Sequence, residues 1–95
     1  MKHYTLLKLA PGADPVEAQE KIWKIYRKLD DELDWLNRPV VVRRCEDVAC
    51  NYDLMATFEL DDPKQLEEYR AHPLTAALET ALSGAVAEKK TFNHY

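Results

Sequence analysis

Hydrophobic positions along the 95-residue chain switch between two periods, and the switches divide it into elements. From His3 to Leu9 the residues alternate. His3, Thr5, Leu7 and Leu9 take one side and Tyr4, Leu6 and Lys8 the other, which is the period of a strand. Pro11 and Gly12 end it. Asp14, Pro15 and Glu17 then mark a helix start: a side-chain acceptor, a proline suited to the first turn, and an acid three positions on that can reach back. Ile22, Ile25, Tyr26, Leu29, Leu33 and Leu36 recur at spacings of three and four, predicting a helix buried on one side to about Asp34. Trp23 falls about 100° off that line, at its edge.

Asn37, Arg38 and Pro39 read as a turn, and the β-branched run within Pro39 to Cys45 as a second strand. A link through Glu46, Asp47, Val48 and Ala49 predicts a hairpin into Tyr52 to Leu60. In that third strand Tyr52, Leu54, Ala56, Phe58 and Leu60 form an apolar row, backed by Asp53, Met55, Thr57 and Glu59. Asp62, Pro63 and Gln65 repeat the helix-start pattern. The helix carries Leu66 and Tyr69 and stops near Ala71, because His72 precedes Pro73 and is pushed out of the helical region. Leu74, Ala77, Leu78, Ala81 and Leu82 then make a second helical stripe, released near Ser83 and Gly84. Lys89 to Tyr95 alternates as the last strand. The order predicts an α+β, ferredoxin-like βαββαβ fold: a four-stranded antiparallel sheet, first and third strands central, with the helices on one face.

The reverse face of that sheet would carry Tyr4, Leu6, Met55 and Thr57 among charges. So apolar a face on one domain spanning 1–95 predicts a homodimer through it. Charge changes the picture by exclusion. Thirteen basic against 17 acidic residues leave a net −4, with the signs interleaved on the first helix, which argues against a nucleic-acid surface. No apolar run reaches membrane-spanning length and no secretion signal is visible, so a cytoplasmic protein is expected. Cys45 and Cys50 read as reduced thiols flanking the hairpin, able to bridge only if the strands bring them opposite each other. No nucleotide loop, nucleophile with a neighbouring base, or histidine-rich spacing occurs, so neither cofactor nor metal is expected.

The opening HYTLLKLAPGAD, the strand NYDLMATFEL and above all the segment EEYRAHPLTAAL resemble the stress-responsive α/β-barrel domain family, dimeric members of the ferredoxin-like fold. The likeness runs through nearly the whole chain. It implies two sheets closing into a barrel and, in each subunit, a pocket between helices and sheet. His3, Thr5, Leu7, Ile22, Tyr26, Leu54, Ala56 and Thr75 are the residues expected around it, and a small apolar or aromatic metabolite its ligand. A plant polyketide cyclase of the family, olivetolic acid cyclase, is similar more distantly. Its segment is Tyr-x-x-His-Pro-x-His, whose tyrosine and second histidine carry an aldol cyclisation. Tyr69 matches the tyrosine and His72 the first histidine, but Thr75 stands where the second would be.

Two functions are therefore expected to compete. One is a dimeric, stress-associated binding protein of undefined activity. The other is a cofactor-independent cyclase, isomerase or monooxygenase-like enzyme with His72 as acid or base and Tyr69 orienting a carbonyl. Against catalysis stand plainer roles: His72 bonding a carbonyl at the helix break, Tyr69 as core, and His3 partly exposed at the terminus rather than clustered with Tyr26 and Tyr69. Asp53 is assigned to the dimer face, paired with Lys8 or Arg43.

Overall fold

The computed structural model describes residues 1–46 and 51–95. Its elements are β1 (Lys2–Leu9), α1 (Pro15–Glu32), β2 (Asn37–Arg43), β3 (Leu54–Glu59), α2 (Gln65–Ala71), α3 (Pro73–Ala81) and β4 (Val86–His94). The strands form one sheet in the order β2-β3-β1-β4 with every pairing antiparallel, so β1 and β3 are central. The fold is ferredoxin-like. The link through Asp47, Val48 and Ala49, and with it any pairing of Cys45 with Cys50, lies outside the described residues; Cys45 is exposed.

Both helix-start signals operate, one of them differently from expectation. Asp14 Oδ1 accepts the Val16 amide at 2.9 Å with Pro15 in the first turn. Glu17 pairs with Lys21 at 3.1 Å rather than reaching back. At the second start the reciprocal pair forms: Asp62 Oδ1 accepts the Lys64 amide, and Gln65 Oε1 accepts those of Asp61 and Asp62. Regular helix follows a tight turn in which Gln65 N–H donates to Asp62 O and Leu66 N–H to Pro63 O.

Strand limits differ where pairing, not side-chain pattern, decides them. β4 starts at Val86, ahead of Lys89, because it opposes Leu9 across a bulge and Ala85 accepts the Ala10 amide at 2.8 Å. β2 includes the residues read as a turn, with Arg38 at φ 50 where its register against β3 shifts. Asp53, expected to pair with Lys8 or Arg43, instead meets Arg44 at 3.3 Å and accepts the Leu9 amide at 2.6 Å.

The helices cover one face of the sheet. Ile22, Tyr26 and Leu29 of α1 pack with Leu66 and Tyr69 of α2 and Leu78 of α3 over Leu7, Leu54, Ala56 and Phe58. Phe58 is the centre, its ring 4.9 Å from Tyr69, 5.1 Å from His3 and 5.8 Å from Tyr26. On the other face Tyr4, Leu6, Met55 and Thr57 lie uncovered by helix, joined by Val40 and Val42 from β2 and Phe92 from β4. Val40 is 43% exposed and Phe92 60%, so this face is more apolar than its central strands alone indicate. No helix among the described residues is long and apolar enough to cross a membrane.

Candidate functional site

The site is built where the second helical segment breaks. His72 is extended (φ −70, ψ 137), as the residue before a proline must be, and α3 restarts at Pro73. Proline has no amide hydrogen, so Leu74 carries the first one in α3 that needs an acceptor. His72 Nδ1 takes it at 3.0 Å, and Nε2 lies 2.9 Å from Glu32 Oε2 at the end of α1. The expected bond from His72 to a free carbonyl is thus replaced by a cap on an amide and a contact with a carboxylate. The carbonyl left by the break, that of Tyr69, receives the Thr75 hydroxyl at 2.6 Å and the His72 amide at 3.2 Å.

Inside, polar side chains line up from β4 across the sheet to the helices. His3 Nδ1 is 2.6 Å from Asn93 Oδ1, which assigns the ring proton to Nδ1 and leaves Nε2 to accept from Thr5 Oγ1 at 3.3 Å. The phenol of Tyr26 is in polar contact with Thr5 and Tyr69. His3 is 2% exposed, not a frayed terminal residue. Burial lowers its pKa, the bond to Asn93 opposes that, and the charges of Arg70 and Lys89 add to the lowering. Burial raises Tyr26 well above the ordinary phenol value, with the neighbouring Tyr69 adding to it. Tyr69 is raised as well, first by burial, with the Tyr26 bond opposing and Glu79 adding. The row is therefore uncharged near neutral pH; with the Thr5 hydroxyl given to His3, that of Tyr26 goes to Thr5 and that of Tyr69 to Tyr26.

A cavity of about 290 Å³ opens beside this row, between α1, α2, α3 and the sheet. Of the residues expected around a pocket, Thr5, Leu7, Ile22, Tyr26, Ala56 and Thr75 line it, together with Tyr69. His3, Leu54 and His72 do not: His3 stands behind Thr5, Leu54 is in the core, and His72 is turned to Glu32. Not expected from the sequence was the outer wall, made by Leu78 of α3, Leu82 just past its end, the Ser83–Gly84 release, and Val86 and Lys89 of β4. Glu79 and Lys89 approach to 3.9 Å across the mouth. Register holds the missing signal, because Lys89 opposes Leu7 and Asn93 opposes His3, and directly opposed residues share a face. Chemically the cavity offers apolar walls, a chain of neutral hydroxyls running from Tyr69 through Tyr26 to Thr5, and charges only at the rim. No cluster of three metal-ligating side chains occurs among the described residues.

Solved structures share this architecture. A dimeric protein of unknown function from Bacteroides fragilis superposes with a TM-score of 0.83 at 14% identity, covering 98% of this chain and 92% of that one. A hydroxynitrile lyase from Passiflora edulis aligns at 9% identity over 98% and 89% of the two chains, TM-score 0.76. SnoaB, a cofactor-independent oxygenase from Streptomyces nogalater, aligns at 13% identity over 99% and 91%, TM-score 0.73. At such identities the likeness shows the fold. No curated protein matches the chain. Residues 1–92 match the family described as the Stress responsive A/B Barrel Domain, and with that match over nearly its whole length the chain belongs to this family.

Proposed function

We propose that the protein is a homodimer that binds a small apolar or aromatic compound in the cavity beside Tyr26 and Tyr69. The observation that carries the reading is the combination of apolar walls with a buried, uncharged row of hydroxyls at the inner end. With Tyr69 at the end of that row, the cavity favours an uncharged ligand carrying one polar oxygen at its inner end, a phenol that donates to Tyr69 or a ketone that takes the Tyr69 O–H from Tyr26. Dimerisation runs through the open sheet face, where Val40, Val42, Tyr4, Leu6, Met55 and Phe92 would otherwise stay wet. Neighbours of the same fold are described as dimeric.

The test is binding of the uncharged fluorophore N-phenyl-1-naphthylamine, displaced by aromatic ketones of similar size. Leu78→Trp fills the cavity and abolishes binding while the chain stays folded; unchanged affinity in that variant refutes the site. Light scattering after size exclusion should give a dimer, and Met55→Glu a monomer.

A cofactor-independent reaction in the same cavity is the second reading, favoured by the polar row from Asn93 to Tyr69. In it Tyr69 holds a carbonyl oxygen. His72, occupied by Leu74 and Glu32, serves by holding α3, and the buried imidazole of His3 carries the proton through Thr5. Turnover of any candidate substrate that survives both Tyr69→Phe and His3→Gln would count against this reading.

A further inference from the structure

We propose that His72 is a proton-operated cap on the cavity wall: neutral, it holds the first turn of α3; protonated, it releases α3 and is held by the acidic end of α1. The consequence for ligand affinity rests on the binding reading above; the helix release itself does not.

The geometry leaves the imidazole no spare position. Nδ1 accepts from Leu74 N–H, so the ring proton sits on Nε2 and points at Glu32. A protonated ring has two N–H donors and no acceptor. Its Nδ1–H would face the Leu74 N–H, and a cation would sit at a helix N-terminus, where the dipole disfavours it. His72 also takes the amides of Thr75 and Ala76 on its own carbonyl at 3.0 and 3.3 Å, so moving the residue disturbs every amide of that turn.

The surrounding charges hold the protonated ring on the α1 side. α3 has no acidic residue in its first turn to hold an imidazolium there. α1 ends on Asp30, Asp31 and Glu32 with no basic residue in its last turn. α2 carries Glu67, Glu68, bonded by the Trp35 indole at 2.9 Å, and Arg70, whose field acts on His3 and Tyr69. Among the described residues no ion pair joins His72 to the sheet. Protonation thus removes the cap on α3 while the existing Nε2–H bond to Glu32 becomes a charge pair. Thr75 and Leu78, both on α3, line the cavity, so loosening its first turn loosens that wall.

Two measurements on the full chain test this, on wild type, His72→Asn and Glu32→Gln. Asparagine caps a helix at any pH. Amide exchange of Leu74, Thr75 and Ala76 should match in wild type and His72→Asn near pH 8 and differ about fivefold near pH 5, wild type being less protected. Glu32→Gln, which removes the negative charge facing Nε2, should move that loss to lower pH. Independently, affinity for N-phenyl-1-naphthylamine should fall about fivefold from about pH 8 to about pH 5 in wild type and stay flat in His72→Asn, with proton release on binding only in wild type. Equal exchange in wild type and His72→Asn at both pH values overturns the cap. A parallel pH dependence of binding in both proteins assigns the effect to His3 and overturns the link to the cavity. Loss of the exchange difference and absence of probe binding are separate results: the second alone refutes the binding reading and leaves the cap standing.

Discussion

Replacing Thr75 by valine isolates the strut that joins the two helical pieces. Valine keeps the branched shape and nearly the volume, so little packing is lost and the change removes the hydroxyl donor. That donor lies 2.6 Å from the Tyr69 carbonyl at a buried position. A hydrogen bond of this kind contributes about 0.5–1.5 kcal/mol net, whereas a carbonyl left with no partner can cost about 3 kcal/mol. Tyr69 O keeps the His72 amide at 3.2 Å, so the lower range applies and about 1 kcal/mol is expected. For a chain of 95 residues that is a fall in Tm of about 4–8 °C. Thermal unfolding measures that shift and urea unfolding the free energy, each followed by fluorescence and far-ultraviolet circular dichroism with coincident transitions as the two-state check. Thr80→Val is the control: its hydroxyl makes a similar bond, to Ala76 O at 3.1 Å, but on an exposed face, and should change stability by less than about 0.5 kcal/mol. If Thr75→Val proves as mild as Thr80→Val, the strut carries no stability and the reasoning fails.

Two further outcomes follow from the core. Because the folded His3 has its pKa lowered below 6.5, the unfolded chain binds a proton that the folded chain refuses. Its contribution to stability is complete above about pH 6.5 and is lost as the pH falls below that value toward the folded pKa. The urea midpoint of wild type should therefore drop more than that of His3→Gln between about pH 8 and about pH 5; parallel curves would refute the burial argument. Phe58→Ala removes the ring that touches His3, Tyr26, Trp35 and Tyr69 and should cost about 3–5 kcal/mol by chemical denaturation, with a cost under about 1 kcal/mol contradicting its place at the centre.

The candidate site was legible in part, and the division follows the range of the forces involved. Thr5, Leu7, Ile22, Tyr26, Ala56 and Tyr69 were visible because each sits on an inward row set by local period. Glu32 as the partner of His72, Asn93 as the partner of His3 and Lys89 at the mouth were not. Each meets its counterpart across elements distant in the chain, and single charged or polar residues leave no periodic trace. His72 was legible as the pre-proline residue, but not which nitrogen it would use. That depended on where α1 ended.

The chain by itself determined the order of elements, the buried row of β3, both helix starts and the break at Pro73, because alternation, capping and the proline ring act over a few residues. Only the tertiary structure decided that β4 begins at Val86, that Val40, Val42 and Phe92 broaden the open face, and that the His-Pro break serves α3 as a cap while the cavity opens beside Tyr26 and Tyr69. Those outcomes rest on strand register and helix packing. Both are settled by contacts between residues far apart in the sequence, whose energies no local pattern records.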